Sequence, residues 1–234
     1  MPKQTPAMPH TTDAVLSRLR KMGNAKNRAG MARFGIDTTN ALGISVTQLR
    51  VVAREIGTDH RLAQALWLTG VHEARMLACL IADPRHMTNK EANAWVRTID
   101  SWDLCDAFAY DLMSRTRVRW ERPAYWAKSP HEFVRRAAFA LIAGLAVHDK
   151  GASDTTFIKM IPLIEAAAND DRNFVKKAVN WALRQVGKRN LALNRAAITC
   201  AEELRARDSR TARWIASDAL RELRSEAVQA RLRR

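Results

Sequence analysis

Cysteines, acidic residues and long apolar runs are all scarce in this 234-residue sequence. The three cysteines, Cys79, Cys105 and Cys200, are odd in number and far apart, so they indicate neither a disulfide framework nor a paired metal site. We expect reduced, buried thiols and a cytoplasmic protein. No stretch approaches the roughly 18 apolar residues of a membrane-spanning helix. The sequence therefore argues against a disulfide-rich secreted domain and against a transmembrane protein.

The common signatures of cofactor and metal enzymes are missing as well. The patterns HExxH, CxxC, GxSxG and GxGxxG and the P-loop do not occur, and each of these patterns carries its own chemistry. We therefore expect no cofactor, no metal ion and no serine or cysteine nucleophile.

The shortage of acidic residues makes the chain strongly basic. There are 39 Lys and Arg residues against 24 Asp and Glu, a formal net charge of +15. Arginine predominates, and its planar guanidinium suits two-point phosphate contacts. A protein this basic most often binds nucleic acid, and an anionic membrane surface is the main alternative.

The hydrophobic pattern predicts an all-α fold. We expect residues 1–12, which contain three prolines, to form a disordered tail. Residues 13–234 follow the 3.6-residue period of helices without an evident linker, so we predict a single domain. Predicted helices span 12–22, 24–34, 45–56, 60–68, 71–82, 88–98, 102–113, 117–127, 130–147, 153–168, 172–187, 190–205 and 208–230.

Several predicted helices begin at residues that can cap them. Ser45 and Thr88 each open a capping-box pattern, in which the side chain of the first residue accepts a backbone N–H bond. Asp171 and Asp208 are expected to cap the helices that follow them.

A weak internal repeat indicates how these helices are arranged. The segment 132–137, EFVRRA, is similar to the segment 173–178, NFVKKA, at an offset of 41 residues. Fainter copies begin near His72 and Ala212. Helix pairs that recur about every 40 residues are typical of HEAT-like repeats. We predict a right-handed α-solenoid of HEAT-like helical repeats with a concave basic face, which would fit duplex DNA.

The predicted helix 172–187 carries a stripe of cations around one tryptophan. Lys177, Trp181, Arg184 and Lys188 share a face, and the segment 172–189 contains six basic and no acidic residues. Such a stripe is typical of a phosphate-binding surface that includes an aromatic residue. A solvated helix face with Trp181 as a partly buried packing residue is an equal alternative.

Arg135 and Arg136 mark a second basic cluster. The segment 115–136 contains seven basic and two acidic residues, and the two arginines lie near a helix N-terminus, which attracts phosphate. We expect at least one of the two side chains to face solvent, although ordinary surface arginine explains either one alone.

The segment Trp102-Asp103-Leu104-Cys105-Asp106 places an aromatic ring and a carboxylate four residues apart, on one helix face. Asp103 fits the role of a cap, whereas Asp106 lies a full turn into the helix. A carboxylate on a cationic surface weakens polyanion binding, so stabilisation of a developing positive charge is one reason to keep it.

The order and spacing of three motifs resemble the AlkD-like DNA alkylation-repair glycosylases over residues 41–224. These motifs are Trp102-Asp-x-x-Asp106, Phe133-Val-x-Arg136-Ala-Ala and Phe174-Val-x-Lys177-Ala-x-x-Trp181-x-Leu-Arg184. The sequence departs from the family at Phe34-Gly35-Ile36, where members often carry an aromatic-Met-Lys element.

The resemblance implies a DNA glycosylase that hydrolyses the N-glycosidic bond of cationic N3- or N7-alkylated purines in duplex DNA. Asp106 would be the catalytic carboxylate, and Trp102 and Trp181 would pack against the backbone of the lesion nucleotide. Arg136 would bind a phosphate, and we expect the remaining phosphate contacts from Arg135, Lys177, Arg184 and Lys188.

Two other functions remain open on the same scaffold. The first is a DNA-structure-binding protein without catalytic activity, and the second is a protein-interaction scaffold for acidic partners. The sequence gives no coiled-coil pattern, so we expect a monomer. We also expect no association with a membrane.

Overall fold

The computed structural model describes residues 10–234, and every regular element in that range is helical. The prediction of an all-α fold is therefore confirmed. Residues 1–9 of the predicted tail lie outside the described range. The first helix begins at Thr12, where the side chain of Thr11 accepts a hydrogen bond from the backbone N–H of Ala14. The chain forms two compact units, one ending at Asp83 and the other beginning at Pro84.

The N-terminal unit contains five α-helices, with a short 3-10 turn after the second. The predicted capping box at Ser45 is confirmed, because its side chain accepts from the N–H of Gln48 while the Gln48 side chain accepts from the N–H of Ser45. The helices are α1 (Thr12–Met22), α2 (Ala25–Met31), α3 (Val46–Ile56), α4 (His60–Leu68) and α5 (His72–Ile81).

A buried carboxylate holds this unit together. Glu73 on α5 is 1% exposed, and its two oxygens accept hydrogen bonds from the backbone N–H groups of Leu42, Gly43 and Ile44 at 2.6–3.3 Å. Gly43 has a φ of 81°, and a Cβ there would lie 2.2 Å from the carbonyl oxygen of Asn24. Only glycine therefore permits this approach between the loop and the start of α2.

The C-terminal unit carries all the residues that the sequence assigned to the functional site. A π-helical turn (Ala107–Leu112) and a 3-10 turn (Met113–Arg115) follow α7 directly. The helices are α6 (Asn89–Arg97), α7 (Trp102–Asp106), α8 (Arg122–Trp126), α9 (Glu132–His148), α10 (Asp154–Ile158), α11 (Ile161–Ala167), α12 (Asn173–Gly187), α13 (Leu191–Arg205), α14 (Arg210–Leu223) and α15 (Glu226–Leu232).

Contacts between successive repeats reproduce the sequence repeat in this unit. Helix α12 packs against α9 on one side and α14 on the other. The rings of Phe133 and Phe174, which occupy equivalent positions of the two related segments, lie 5.5 Å apart. The guanidinium of Arg172 donates to the carbonyl oxygen of Pro130 at 2.6 Å, and that of Arg207 to the carbonyl oxygen of Glu165 at 2.9 Å. The same stacking step therefore recurs along the unit.

Five predicted helices are interrupted. Predicted helix 24–34 changes to a 3-10 turn after Met31. Predicted helix 117–127 shrinks to α8 and predicted helix 153–168 splits before α11, because Pro123 and Pro162 fit only the first turn of a helix. Predicted helix 208–230 ends at Leu223, and Ser225 caps a new helix by accepting from the N–H of Val228. The predicted helix 102–113 changes to π geometry after Asp106.

Two of the predicted caps were wrong by one residue. The cap of α12 is Arg172 rather than Asp171, because Asp170 accepts from the N–H of Arg172 and holds that residue outside the helix. The cap of α14 is Ser209 rather than Asp208, because the Ser209 hydroxyl oxygen accepts from the N–H of Ala212. In the range 10–234, no helix is long and apolar enough to cross a membrane.

Candidate active site

Helix α7 presents Trp102 and Asp106 on one face because its other side chains are needed for the core. Leu104 and Cys105 are fully buried, and the Cys105 thiol donates to the carbonyl oxygen of Phe133 on α9 at 3.5 Å. Trp102 is half-buried, and the side chain of Asp106 keeps 24% of its surface exposed. A carboxylate that is fixed on one side and open on the other can act on a bound ligand.

Arg136 on α9 holds this carboxylate in a two-point ion pair. Its Nη2 donates to Oδ1 and Oδ2 of Asp106 at 2.8 Å each, and its Nε donates to Oδ1 at 3.1 Å. The remaining nitrogen, Nη1, donates to the carbonyl oxygen of Phe174 on α12 at 2.8 Å. The pair therefore joins α7, α9 and α12 and fixes the direction of the Asp106 carboxylate.

This environment changes the acidity of Asp106. Burial raises the pKa of Asp106 above its ordinary value of 3.8, and the charge and hydrogen bonds of Arg136 oppose that shift. Both carboxylate oxygens accept N–H groups, which is the arrangement of the ionised form.

Arg136 is not available as the surface phosphate contact that we expected from the sequence. The residue is 5% exposed, and its donors point to Asp106 and Phe174 instead of to solvent. Position 136 faces the interior beside Val134 and Ala137, which are also buried, and a buried guanidinium there needs a carboxylate partner. Its neighbour Arg135 is the one that reaches the surface, with 26% of its side chain exposed, and it pairs with Asp170 at 3.3 Å.

The predicted stripe on α12 divides into one exposed and two neutralised cations. Lys177 is exposed, and no ion pair involving it occurs in the described part of the chain. Arg184 and Lys188 instead contact the carboxylate of Glu222 on α14 at 2.5 and 2.6 Å. The expected phosphate contacts at Arg184 and Lys188 therefore compete with an internal carboxylate, which the local sequence around α12 did not reveal.

The sequence left two alternatives for Trp181, a surface residue of the cationic stripe or a partly buried packing residue, and the structure has features of both. It is half-buried, and its ring stacks on that of Tyr110 with centroids 5.8 Å apart and planes 15° apart. Tyr110 lies in the π-helical turn after Asp106, and sequence reasoning missed it. Its position four residues after Asp106, on the face that carries Trp102, was the signal that could have found it.

The His, Cys, Asp and Glu side chains of residues 10–234 are of the kinds that bind metal ions or act as nucleophiles. Between residues 10 and 234, no group of three or more His, Cys, Asp or Glu side chains is arranged to hold a metal ion. None of the three cysteines, which all lie within residues 10–234, forms a disulfide, and all three are buried. Burial raises the pKa of the Cys105 thiol and that of Cys200. These thiols are poor nucleophiles, because the thiolate is the reactive form.

The helical repeats, with a partly exposed carboxylate held by a buried arginine, define the class of HEAT-like repeat proteins. Comparison with known families agrees. A family model described as DNA alkylation repair enzyme matches residues 15–227, and the chain belongs to that family.

One solved structure shows the same fold at low sequence identity. It is described as belonging to a new family of proteins related to the HEAT-like repeat DNA glycosylases with affinity for branched DNA structures. It is 19% identical, with a TM-score of 0.77 over 95% of this chain and 96% of that chain. Two designed armadillo repeat proteins match with TM-scores of 0.34 at 14% identity, over 76% and 93% of this chain and 92% and 86% of theirs. No curated protein matches the sequence.

Proposed function

We propose that this protein is a DNA glycosylase that hydrolyses the N-glycosidic bond of cationic N3- or N7-alkylated purines in duplex DNA. The observation that carries the proposal is the Asp106 carboxylate, oriented by Arg136 and still 24% exposed, in a chain of the DNA alkylation repair enzyme family.

One carboxylate of this kind is sufficient for the proposed reaction. An alkylated purine is already positively charged, so it departs without a general acid, whereas ordinary glycoside hydrolysis uses two carboxyl groups. As the bond breaks, positive charge moves to the sugar, and the fixed Asp106 carboxylate stabilises that charge and positions the attacking water. Arg136 contributes by holding the carboxylate in place, which avoids reorganisation during the reaction.

The neighbouring residues supply binding. Trp102 shares the face of Asp106 on α7, and both it and Trp181 are half-buried, so each retains ring surface for the deoxyribose backbone of the lesion nucleotide. Arg135 lies on the first turn of α9, where a helix N-terminus adds to the attraction for phosphate. Lys177 is exposed at the start of the second turn of α12. We assign phosphate binding chiefly to Lys177, with Arg135, Arg184 and Lys188, each of which pairs with a carboxylate, as secondary contacts.

Release of free base from duplex DNA containing N7-methylguanine tests the proposal. Wild-type protein should release the base, and Asp106→Asn should not, while duplex affinity stays equal or rises because one negative charge is lost. Asp208→Asn is the matched control, because it makes the same charge change at an exposed residue that pairs only with Arg213 across the surface. Release by Asp106→Asn at the wild-type rate would refute the assigned role.

The stability of Asp106→Asn needs a parallel measurement. The substitution removes the charge that compensates buried Arg136, and breaking such a pair costs roughly 3–5 kcal/mol. Thermal unfolding of the variant separates loss of catalysis from loss of the fold.

One observation favours a second function. The structure with the TM-score of 0.77 is described by its affinity for branched DNA, so a non-catalytic DNA-structure binder is the alternative. Tight, salt-sensitive binding of a four-way junction in preference to duplex, with no base release by wild-type protein, would favour it. A protein-interaction scaffold would show weak binding to both DNAs.

A further inference from the structure

Three aromatic rings form a cluster in the helical segment that continues from Asp106. The ring of Tyr110 lies nearly parallel to that of Trp181, with centroids 5.8 Å apart and an interplanar angle of 15°. The imidazole of His148, the last residue of α9, meets the Tyr110 ring edge-on at 4.2 Å and 74°. The Tyr110 ring therefore lies between the His148 imidazole, which it meets edge-on, and the Trp181 indole, on which it stacks.

The backbone around Tyr110 is unusual. Residues Ala107–Leu112 form a π-helical turn that begins directly after Asp106, and the Tyr110 carbonyl oxygen accepts from the Ser114 hydroxyl at 2.6 Å. A π turn fits an extra residue into the helix, which redirects the side chains that follow, and such turns are frequent at functional sites.

A glycine on the facing helix leaves space for this ring. Gly144 lies in the middle of α9, and a Cβ there would be 3.2 Å from Cδ2 of Tyr110 and 3.4 Å from its Cα. The first distance is shorter than ordinary van der Waals contact, and the second lies at the lower limit of such contact. A larger residue at position 144 would push the π turn and the Tyr110 ring away from α9.

We propose that Tyr110 is a positioning residue, whose ring holds Trp181 in the orientation that packs against the lesion nucleotide. This inference rests on the proposed function. A flat stack restricts rotation of the indole about its own side-chain bonds, because turning the ring would separate the two π faces. Tyr110 acts on the reaction rate through Trp181, without a contact of its own to the reacting atoms.

The test compares Tyr110→Phe with Tyr110→Leu. Phenylalanine keeps the flat face, whereas leucine keeps an apolar side chain but cannot stack. With N7-methylguanine duplex at saturating protein, Tyr110→Leu should slow single-turnover base release by roughly 10- to 100-fold, as small misplacements in a site do. Its duplex affinity should stay unchanged, and Tyr110→Phe should release base at the wild-type rate.

A spectroscopic measurement makes the result independent of catalysis. The ¹H–¹⁵N heteronuclear NOE of the Trp181 indole N–H, assigned with Trp181→Phe, reports fast motion of that ring. The NOE should fall in Tyr110→Leu and stay at the wild-type value in Tyr110→Phe. An unchanged NOE in Tyr110→Leu would overturn the inference. This measurement does not depend on base release, so it decides the inference even if the proposed glycosylase function fails. Equal loss of rate in both variants would also overturn it.

Gly144→Ala provides a second variant that leaves Tyr110 intact. We expect slower base release and a lower Trp181 NOE, because the new methyl group displaces the π turn. Gly30→Ala is the matched control, since a Cβ at Gly30 in α2 meets nothing within 4 Å. A wild-type rate and NOE in Gly144→Ala would show that the space beside Tyr110 does not set the orientation of Trp181, which would contradict this part of the inference.

Discussion

At the scale of single residues, Asp106 and Arg136 show how one pair links stability to chemistry. Three hydrogen bonds join the two side chains, and Arg136 is almost completely buried. A buried ion pair stabilises a fold little compared with apolar packing, yet it is costly to break. The proposed function explains the pair better, because it requires a partly exposed carboxylate that is held in one direction.

The pKa of Asp106 gives a prediction for the pH dependence of catalysis. In the proposed mechanism the ionised carboxylate is the active form, and burial raises the pKa of Asp106 above 3.8. The single-turnover rate should therefore fall as the pH is lowered through a midpoint above 3.8, where an ordinary, exposed aspartate would still be ionised. A carboxyl-carbon NMR titration, with Asp106→Asn to assign the signal, checks the midpoint directly.

Two outcomes would contradict this prediction. A titration midpoint at or below 3.8 would show that Arg136 outweighs burial. A rate that stays constant through the observed midpoint would show that ionisation of Asp106 does not limit catalysis.

At the scale of elements, the N-terminal unit depends on a loop rather than on helix packing alone. Helix α2 has no buried side chain, so it is held by the connection 40–44 and by the Glu73 carboxylate beneath it. The N–H of Asn24 donates to the carbonyl oxygen of Leu42 at 2.8 Å, and the N–H of His72 donates to that of Asn40 at 2.9 Å. Backbone bonds at both ends of this loop thus tie α2 to α5.

Glu73→Gln should destabilise the N-terminal unit strongly for a single amide replacement. The two carboxylate oxygens of Glu73 accept hydrogen bonds from three backbone N–H groups, whereas glutamine has only one acceptor oxygen. An unsatisfied buried donor costs roughly 1–3 kcal/mol. Glu55→Gln is the control, because Glu55 makes an exposed ion pair with Arg18 and such pairs contribute little. Urea unfolding of both variants compares the two losses, and equal losses would count against the anchoring role of Glu73.

At the scale of the whole molecule, the charge of +15 overstates how many cations are free to bind DNA. On α12, the carboxylate of Glu222 takes up Arg184 and Lys188, and Asp218 accepts from the side chain of Asn180 at 2.6 Å. Lys177 at the other end of the same helix is exposed. Phosphate binding should therefore be uneven along the stripe.

The salt dependence of duplex binding measures this difference. Lys177→Ala should reduce the slope of log K against log salt by about 1, because one phosphate contact and its released counterion are lost. Lys188→Ala removes the same charge from the same helix but should change the slope less, since Glu222 already neutralises that ammonium. Equal changes in slope would show that the Glu222 pair opens when DNA binds.

Helical periodicity, composition and one set of motifs were enough to predict the fold class and the family. The 41-residue offset between Phe133 and Phe174 correctly indicated a structural repeat, because each repeat must bury the same face against its neighbour. The helix breaks at Pro123 and Pro162 could have been predicted from the restricted backbone of proline. The single-domain prediction, the catalytic role of Asp106 and the roles of the tryptophans stay predictions.

The partners of the charged and aromatic side chains were decided only by the tertiary structure. Arg136 and Arg135 are adjacent in the sequence, yet one is buried against Asp106 and the other reaches the surface. Glu222 lies 34 residues from Lys188, and Trp181 lies 71 residues from Tyr110, on whose ring it stacks. Periodicity determines which face of a helix is apolar, because that face must leave water. Periodicity does not determine which polar groups meet across two helices. These contacts depend on how the repeats stack and on a π turn that no local sequence pattern predicted.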